Sequence, residues 1–248
     1  MSNLSDLFAN HDTVVFFDTE TTGLSAKSNR IIELAMIQLK KGESGGPFIA
    51  EQYDEFIRLP EGEVVPEKIT EITHITNEMV LGGISEEQAV ADFLRFVGVG
   101  MKGKSTLLIA HNAQFDICFV KEMLKRHGKD IVLSVMDYID TLTVYKDRRA
   151  YPHRLANAIE AYGLEDRVQN SHRAIDDVLA QYEVAKALDD ERADLSSYIN
   201  VFGFNPKYGM EGERVPGVAY CAQYFNNYMQ SENSTLPAKL RSGRISAV

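Results

Sequence analysis

The sequence that decides the fold reads Thr13-Val14-Val15-Phe16-Phe17-Asp18-Thr19-Glu20. Its apolar residues occupy both alternating registers, which predicts a central strand covered on both faces. Side chains two residues apart on a strand point the same way, so Asp18 and Glu20 are expected on one face. Two neighbouring carboxylates repel each other and resist burial, and no Lys or Arg lies in the strand. A divalent cation held between them is the simplest expectation.

Hydrophobic periodicity predicts further elements on the C-terminal side of this strand. Strands are expected at 30–39, 48–59, 106–110 and 131–139, and helices at 66–73, 86–97, 114–127, 154–162 and 174–188. The first strands form an antiparallel group, and the later strands alternate with helices. This order predicts an α/β fold, a mixed sheet flanked by helices.

The length and composition indicate a globular protein that can bury a full-sized hydrophobic core. With 248 residues and 44% hydrophobic residues, residues 1–200 can form one large domain with 201–248 as an appendage. No run approaches the ~18 apolar residues that cross a bilayer, and no basic-then-apolar signal opens the sequence, so no membrane partner is expected. The two cysteines, Cys118 and Cys221, form no disulfide or metal-binding pattern. They indicate a reducing compartment, and we expect a cytoplasmic protein.

The charge of the chain limits how it can bind nucleic acid. There are 26 basic and 36 acidic residues, for a net charge of −10. Broad, sequence-independent binding to nucleic acid normally needs a basic face, so the charge argues against that class. It does not exclude an enzyme that holds the end of a strand while metal ions offset the phosphate charge.

The C-terminal tail, residues 201–248, differs in character from the rest. Gly and Pro interrupt any periodicity, and the tail is rich in aromatic residues: Tyr208, Tyr220, Tyr224, Phe225 and Tyr228. The tail carries a charge of +2, whereas the preceding 200 residues carry −12. Two interpretations are open: an extended arm packed on its own domain, or a contact for a partner or for homo-oligomers.

A second acidic site follows the strand at 106–110. It reads Ala110-His111-Asn112-Ala113-Gln114-Phe115-Asp116, and Asp116 heads an apolar stripe in the helix that follows. An acid at a helix start can also serve only the helix dipole, so Asp116 alone would not indicate chemistry.

A third acidic site reads Ser171-His172-Arg173-Ala174-Ile175-Asp176-Asp177. Asp177 borders the buried face of the last long helix, and His172 stands in the loop before it. Together with Asp18, Glu20 and Asp116, Asp177 gives four carboxylates at the ends of elements, enough to hold two divalent cations. A neighbouring histidine suits removal of a proton from water.

In order and spacing, these three acidic sites resemble the three motifs of the DEDDh (DnaQ-like) 3′–5′ exonucleases, over about residues 12–190. The similarity is greatest to the proofreading type associated with bacterial DNA polymerase III, the epsilon type. The resemblance implies a ribonuclease-H-like sheet and the release of nucleoside 5′-monophosphates from a 3′ end. It implies that Asp18, Glu20, Asp116 and Asp177 bind two Mg²⁺ or Mn²⁺ and that His172 is the general base.

The resemblance also implies substrate contacts. Thr21, Thr22 and Leu24 match a loop that holds the terminal nucleotide. Asn112 matches a position near the scissile nucleotide, and Phe115, which is also taken as a substrate contact, matches a position of the core. His74 stands where the family usually has glycine, so a stacking contact with the strand and a solvated histidine are both open. Outside these contacts, Asp140 matches the family as well and also reads as a helix cap.

The expected partner is the 3′ end of single-stranded DNA or RNA, and a DNA polymerase is the candidate protein partner. Three roles remain open: a proofreader, a stand-alone repair or RNA-trimming exonuclease, and a catalytically silent binding module. The presence of all five residues, Asp18, Glu20, Asp116, His172 and Asp177, favours an enzyme over a silent module, because a binding module has no need for several mutually repelling acids.

Overall fold

A computed structural model describes residues 4–42, 46–98, 105–169, 171–210, 212–223 and 236–241. The strands are β1 (Thr13–Thr21), β2 (Ile31–Lys41), β3 (Pro47–Phe56), β4 (Thr106–Ala110), β5 (Asp137–Asp140), β6 (Val201–Phe204) and β7 (Ala219–Ala222). The helices are α1 (Glu67–Thr73), α2 (Asn77–Leu81), α3 (Glu86–Phe96), α4 (Ala113–Arg126), α5 (Thr141–Arg148), α6 (Leu155–Ala161), α7 (Ala174–Glu191) and α8 (Leu236–Arg241).

The main sheet has the strand order β3-β2-β1-β4-β5. The strand β1 runs antiparallel to β2 and parallel to β4, which in turn is parallel to β5. Phe16 pairs with Ile109, and Ile109 pairs with Ile139. The carboxyl ends of β1, β4 and β5 therefore reach the same edge of the sheet, which is where ligands usually bind in sheets of this kind. The predicted mixed α/β sheet flanked by helices is confirmed.

The central strand β1 separates two hydrophobic cores. Val14 and Phe16 pack in the core that contains Val178 of α7, whereas Val15 and Phe17 pack in the core that contains Phe93 of α3. All four β1 side chains are at most 1% exposed. Asp18 and Glu20 continue the face of Val14 and Phe16, so the strand directs both acids towards α7.

The predicted strand at 131–139 was wrong over its first half. A short 3-10 helix occupies Asp130–Val135, and only Asp137–Asp140 pairs with β4. Ile131 and Val135 are 77% and 78% exposed, so this apolar stretch lies on the surface instead of in the sheet. The helices α2 and α5 were not predicted, since each is short and lacks a clear apolar stripe.

The described part of the tail packs on the body. The strands β6 and β7 form a two-stranded parallel sheet. Val201 and Cys221 belong to one core, and Phe202 and Tyr220 belong to the other. Tyr224, Phe225 and Tyr228 lie outside the described residues. The division into residues 1–200 and 201–248 stays a prediction.

Within the described ranges, none of the helices has both the length and the hydropathy that a bilayer crossing requires.

Replacing Phe17 with alanine tests the role of β1 as the wall between two cores. Because Phe17 is fully buried, we expect Phe17→Ala to lower the free energy of unfolding by about 3–5 kcal/mol. Phe48, which is 51% exposed on β3, gives a matched control, and Phe48→Ala should change it by less than about 0.5 kcal/mol. Urea unfolding followed by circular dichroism measures both. Equal losses in the two variants would contradict the two-core description.

Candidate metal centre

Three of the predicted acids converge at the end of β1. Asp18, Glu20 and Asp177 each offer a carboxylate oxygen, and these oxygens lie within 4.8 Å of one another. Asp18 and Glu20 come from neighbouring same-face positions of β1, and Asp177 comes from the first turn of α7, which packs over that face. Residues separated by most of the chain therefore form one oxygen-rich cluster, the donor set that hard divalent cations prefer.

Asp116 approaches from the opposite side of the sheet. It lies in the first turn of α4 and is only 3% exposed. Its Oδ1 accepts hydrogen bonds from the backbone N–H of Thr19, at 3.0 Å, and from the Thr19 hydroxyl, at 2.7 Å. Thr19 lies between Asp18 and Glu20, so these two bonds fix Asp116 to the strand segment that carries the other acids.

The four carboxylates form one electrostatic unit. Burial, followed by the charges of Asp116, Asp177 and Glu20, holds the pKa of Asp18 well above its usual range. Burial and the charge of Asp177 raise the pKa of Glu20 to about 8. Burial also raises the pKa of Asp116 to about 7, against the opposing effect of the Thr19 hydrogen bonds. Acids that resist ionisation together fit a site in which bound cations supply the missing positive charge.

Glu33 of β2, which sequence reasoning missed, anchors the start of α7. It is completely buried and pairs across the sheet with Glu20. One of its oxygens accepts hydrogen bonds from the Arg173 guanidinium, at 2.6 and 2.9 Å, and the other accepts from the N–H of Ala174, at 2.9 Å. These contacts fix the first turn of α7 and therefore the position of Asp177. A lone acid inside the apolar run of β2 was the signal for it.

Gln181, also missed, positions Asp18. It lies one turn after Asp177 on α7 and is completely buried. Its Nε2 donates a 2.6 Å hydrogen bond to Oδ1 of Asp18, and its Oε1 has no hydrogen-bond partner among the described atoms. The amide thus orients a carboxylate of the cluster, as a supporting residue of a metal site does.

His172 is exposed in the loop directly before α7. Its backbone φ is 57°, an unusual value for a residue other than glycine. The neighbouring residues are held on both sides, because the Ser171 hydroxyl donates to Asp176 and Arg173 bonds to Glu33. The N-cap residue of α7 is Arg173. Strained backbone of this kind concentrates at functional sites.

The loop after β1 carries three of the predicted substrate residues. The Thr21 hydroxyl donates to the carbonyl of Gly23, and the Thr22 hydroxyl accepts from the N–H of Arg30, so both stabilise the turn itself. Leu24 is 88% exposed at the tip of the loop. A large apolar side chain held in solvent beside an acidic cluster is available for a ligand.

The remaining predicted substrate residues lie on two segments. Asn112 is exposed with φ 70°, immediately before α4, and Phe115 is half-buried against Phe119, with ring centroids 4.9 Å apart. His74 is exposed at the end of α1 with φ 60°. His74 thus adopts the left-handed backbone that glycine favours. The roles of these residues in binding substrate stay predictions.

A family model described as an exonuclease, RNase_T, matches residues 15–185 of this chain. The chain belongs to this exonuclease family. The matched region begins in β1 and ends in α7, so it includes all four acids. The resemblance to the DnaQ-like 3′–5′ exonucleases is confirmed, and so is the prediction of an enzyme of that class.

Curated relatives of this exonuclease chain are named as DNA polymerase III proteins. The DNA polymerase III epsilon subunit of Treponema pallidum is 35% identical over 176 residues, covering 69% of this chain and 74% of the relative. A PolC-type DNA polymerase III of Clostridium perfringens is 37% identical over 177 residues, which cover 71% of this chain. The chain spans only 11% of the length of that PolC-type relative.

Solved structures share the fold of this exonuclease. Escherichia coli exonuclease I in complex with a dA16 oligonucleotide superimposes with a TM-score of 0.62 at 20% identity, covering 76% of this chain and 43% of the other. An exonuclease I from Methylocaldum szegediense gives a TM-score of 0.59 at 20% identity, covering 74% and 41%. These similarities establish the fold.

Without metal, the protein should become less stable as the pH rises. In the folded state the pKa of Glu20 is about 8 and the pKa of Asp116 is about 7. Above about pH 4, the same two groups are ionised in the unfolded chain but stay protonated in the folded protein. Their contribution is fully present below that pH and is lost as the pH rises through 7 and 8. In chelator, the Tm should therefore fall between about pH 5 and about pH 8, and Mn²⁺ should restore it at the higher pH.

Differential scanning calorimetry at several pH values measures this dependence. The double variant Glu20→Gln/Asp116→Asn is the control, because it lacks the two groups and should show a flatter profile. A chelated wild-type Tm that stays constant or rises over the same interval would contradict the electrostatic description.

Removing the Gln181 amide should weaken metal binding. We expect Gln181→Leu to lower Mn²⁺ affinity about 10- to 100-fold, as loss of a supporting hydrogen bond does at other metal sites. Gln38 is a matched control, because it is buried and its Nε2 donates to the Phe96 carbonyl instead of to an acid. Isothermal titration calorimetry measures both variants. Equal affinities for Gln181→Leu and Gln38→Leu would remove Gln181 from the site.

Proposed function

We propose that this exonuclease removes nucleotides from the 3′ end of single-stranded DNA and releases nucleoside 5′-monophosphates. The observation that carries the proposal is the convergence of Asp18, Glu20 and Asp177 within 4.8 Å, with Asp116 close enough to raise the pKa of Asp18. We assign these four acids to two divalent cations, Mg²⁺ or Mn²⁺. Cations bound there polarise the phosphate and the attacking water and stabilise the leaving oxygen.

Residues around the four acids keep the carboxylates in position, and His172 takes up the proton of the attacking water. Thr19 holds Asp116, Gln181 holds Asp18, and Glu33 holds the start of α7 that carries Asp177. His172, which stands ahead of that turn, accepts the proton of the attacking water at an imidazole nitrogen. Leu24, which is 88% exposed, packs against the terminal base.

The relatives support DNA as the substrate and a polymerase as the partner. Two of them are named as DNA polymerase III components, and one solved neighbour holds a DNA oligonucleotide. A net charge of −10 leaves the chain with little general attraction for DNA, and a polymerase that already holds the strand would overcome this. Assembly of copies through the tail and a cytoplasmic location stay predictions.

Variants of the acids and of His172 test this function. Asp177→Asn should abolish release of mononucleotides while the fold is retained, because it removes a ligand and relieves repulsion. His172→Gln should lower turnover about 10²- to 10⁴-fold, the usual contribution of a general base. The control is His127→Gln, since His127 bonds to Glu86 on the surface and should keep full activity.

The assay follows shortening of 5′-labelled single-stranded DNA and of a matched 5′-labelled RNA, with Mn²⁺ and with chelator. Metal-dependent shortening from the 3′ end, faster on DNA, is the expected result. Absence of metal-dependent shortening of either strand would overturn the proposal. Faster cleavage of the RNA would show that RNA, and not DNA, is the preferred substrate.

A further inference from the structure

A groove of about 510 Å³ lies between the segment that precedes α4 and the first part of the tail. Its floor includes Asn112 and Asp140, at the carboxyl ends of β4 and β5. Two tyrosines, Tyr151 and Tyr208, line it and are each 68% exposed. We call this feature the tyrosine groove. Its volume falls within the range of about 300–1,000 Å³ that is typical of ligand sites.

Hydrogen bonds connect the tail wall of the groove to its floor. The Thr143 hydroxyl accepts from the N–H of Gly203 in β6, at 2.8 Å, and donates to Oδ2 of Asp140, at 2.6 Å. Oδ1 of Asp140 in turn accepts from the N–H groups of Asn112 and Ala113. The tail is thus fixed to the segment that leads into α4 and Asp116.

The opposite wall is connected to the same segment. Nε2–H of His111 donates to the carbonyl of His153, at 3.2 Å, and Nδ1 of His111 shares a hydrogen bond with the Thr141 hydroxyl, at 3.0 Å. His153 lies between Tyr151, whose ring contacts it edge-on at 5.8 Å, and Arg154. Both walls are therefore fixed to the ends of β4 and β5 and to the segment that leads into α4, the helix that carries Asp116.

The charge of the groove is opposite to that of the protein. Lys146 and Arg154 line it, and Lys207 lies 5.2 Å from the ring centre of Tyr208. Among the described residues that line the groove, Asp140 is the one acid, and it is buried and satisfied by five hydrogen bonds. Positive side chains beside exposed aromatic rings are the combination that binds single-stranded nucleic acid.

We propose that the tyrosine groove binds the substrate strand on the 5′ side of the cleaved bond, with a base stacked on Tyr208 or Tyr151 and its phosphate near Lys146 and Arg154. The inference rests on the proposed function, because the terminal nucleotide occupies the neighbouring metal centre. It assigns the first part of the tail, residues 202–210, to substrate binding.

The position of the groove supports this occupant over an unrelated small molecule. The groove shares Asn112 with the surface beside Leu24 and Phe115, and its Asp140 accepts hydrogen bonds from the N–H groups of Asn112 and Ala113, which lead into the first turn of α4 and Asp116. A strand whose 3′ end lies at the acids can therefore continue past the start of α4 into the groove.

Two substrates distinguish binding in the tyrosine groove from hydrolysis at the metal centre. A thymidine decanucleotide would occupy both sites, whereas the p-nitrophenyl ester of thymidine 5′-monophosphate has no nucleotide on the 5′ side. For Tyr151→Ala/Tyr208→Ala, we expect KM for the decanucleotide to rise about tenfold or more, as the loss of base stacking does elsewhere. Its kcat/KM for the ester should stay within about twofold of wild type. Tyr208→Phe keeps the ring and should keep the wild-type KM, and Phe48→Ala is the control for an exposed ring outside the groove.

Binding without catalysis keeps the inference separate from the proposed function. Fluorescence anisotropy of the 5′-labelled decanucleotide in chelator should show the same loss for the double tyrosine variant. Lys146→Ala should also weaken binding and reduce its salt dependence, and Lys40→Ala at the far end of β2 should not.

If wild type cleaves neither substrate, the proposed function fails, and the anisotropy still tests the groove. If wild type cleaves both and the double tyrosine variant matches it in KM and in binding, the inference on the groove is wrong while the exonuclease assignment stands.

Discussion

The structure depends on keeping four carboxyl groups together at the buried end of the central strand, where their ionised forms are least stable. Asp18 and Glu20 extend the same face as Val14 and Phe16, so the strand that forms the core also directs two carboxylates against α7. Desolvation and mutual repulsion disfavour their ionised forms, which is why the pKa of Glu20 is raised to about 8. Glu33, Thr19 and Gln181 maintain the arrangement at a cost in stability of the metal-free protein, a common exchange at functional sites.

Much of this could be predicted from the sequence, because several signals are local. The apolar run before Asp18 defined β1, and the spacing of apolar residues after Asp116 and around Asp177 defined the faces of α4 and α7. What could not be predicted was the set of supporting contacts. Gln181 and Glu33 act on residues 163 and 140 positions away, and no periodicity along a chain reveals which distant partner a buried polar group meets.

The errors have the same cause. The apolar residues Ile131 and Val135 resembled a strand, yet β4 provides pairing only for Asp137–Asp140, so the first half became a surface 3-10 helix. The tail, without periodicity, gave no indication that Gly203 would bond to Thr143. Its aromatic and basic residues were visible in the sequence, but their placement beside Asn112 and Asp140 depends on that tertiary contact.

The long-range contact between Gln181 and Asp18 also affects biogenesis. The hydrogen bond links β1, near the start of the described chain, to α7, more than 160 residues later. Contacts of such high sequence separation form late in folding, since the loop must close before they contribute. A nascent chain that ends before α7 lacks both Asp177 and the Gln181 amide, so the acidic cluster is incomplete until α7 has been synthesised.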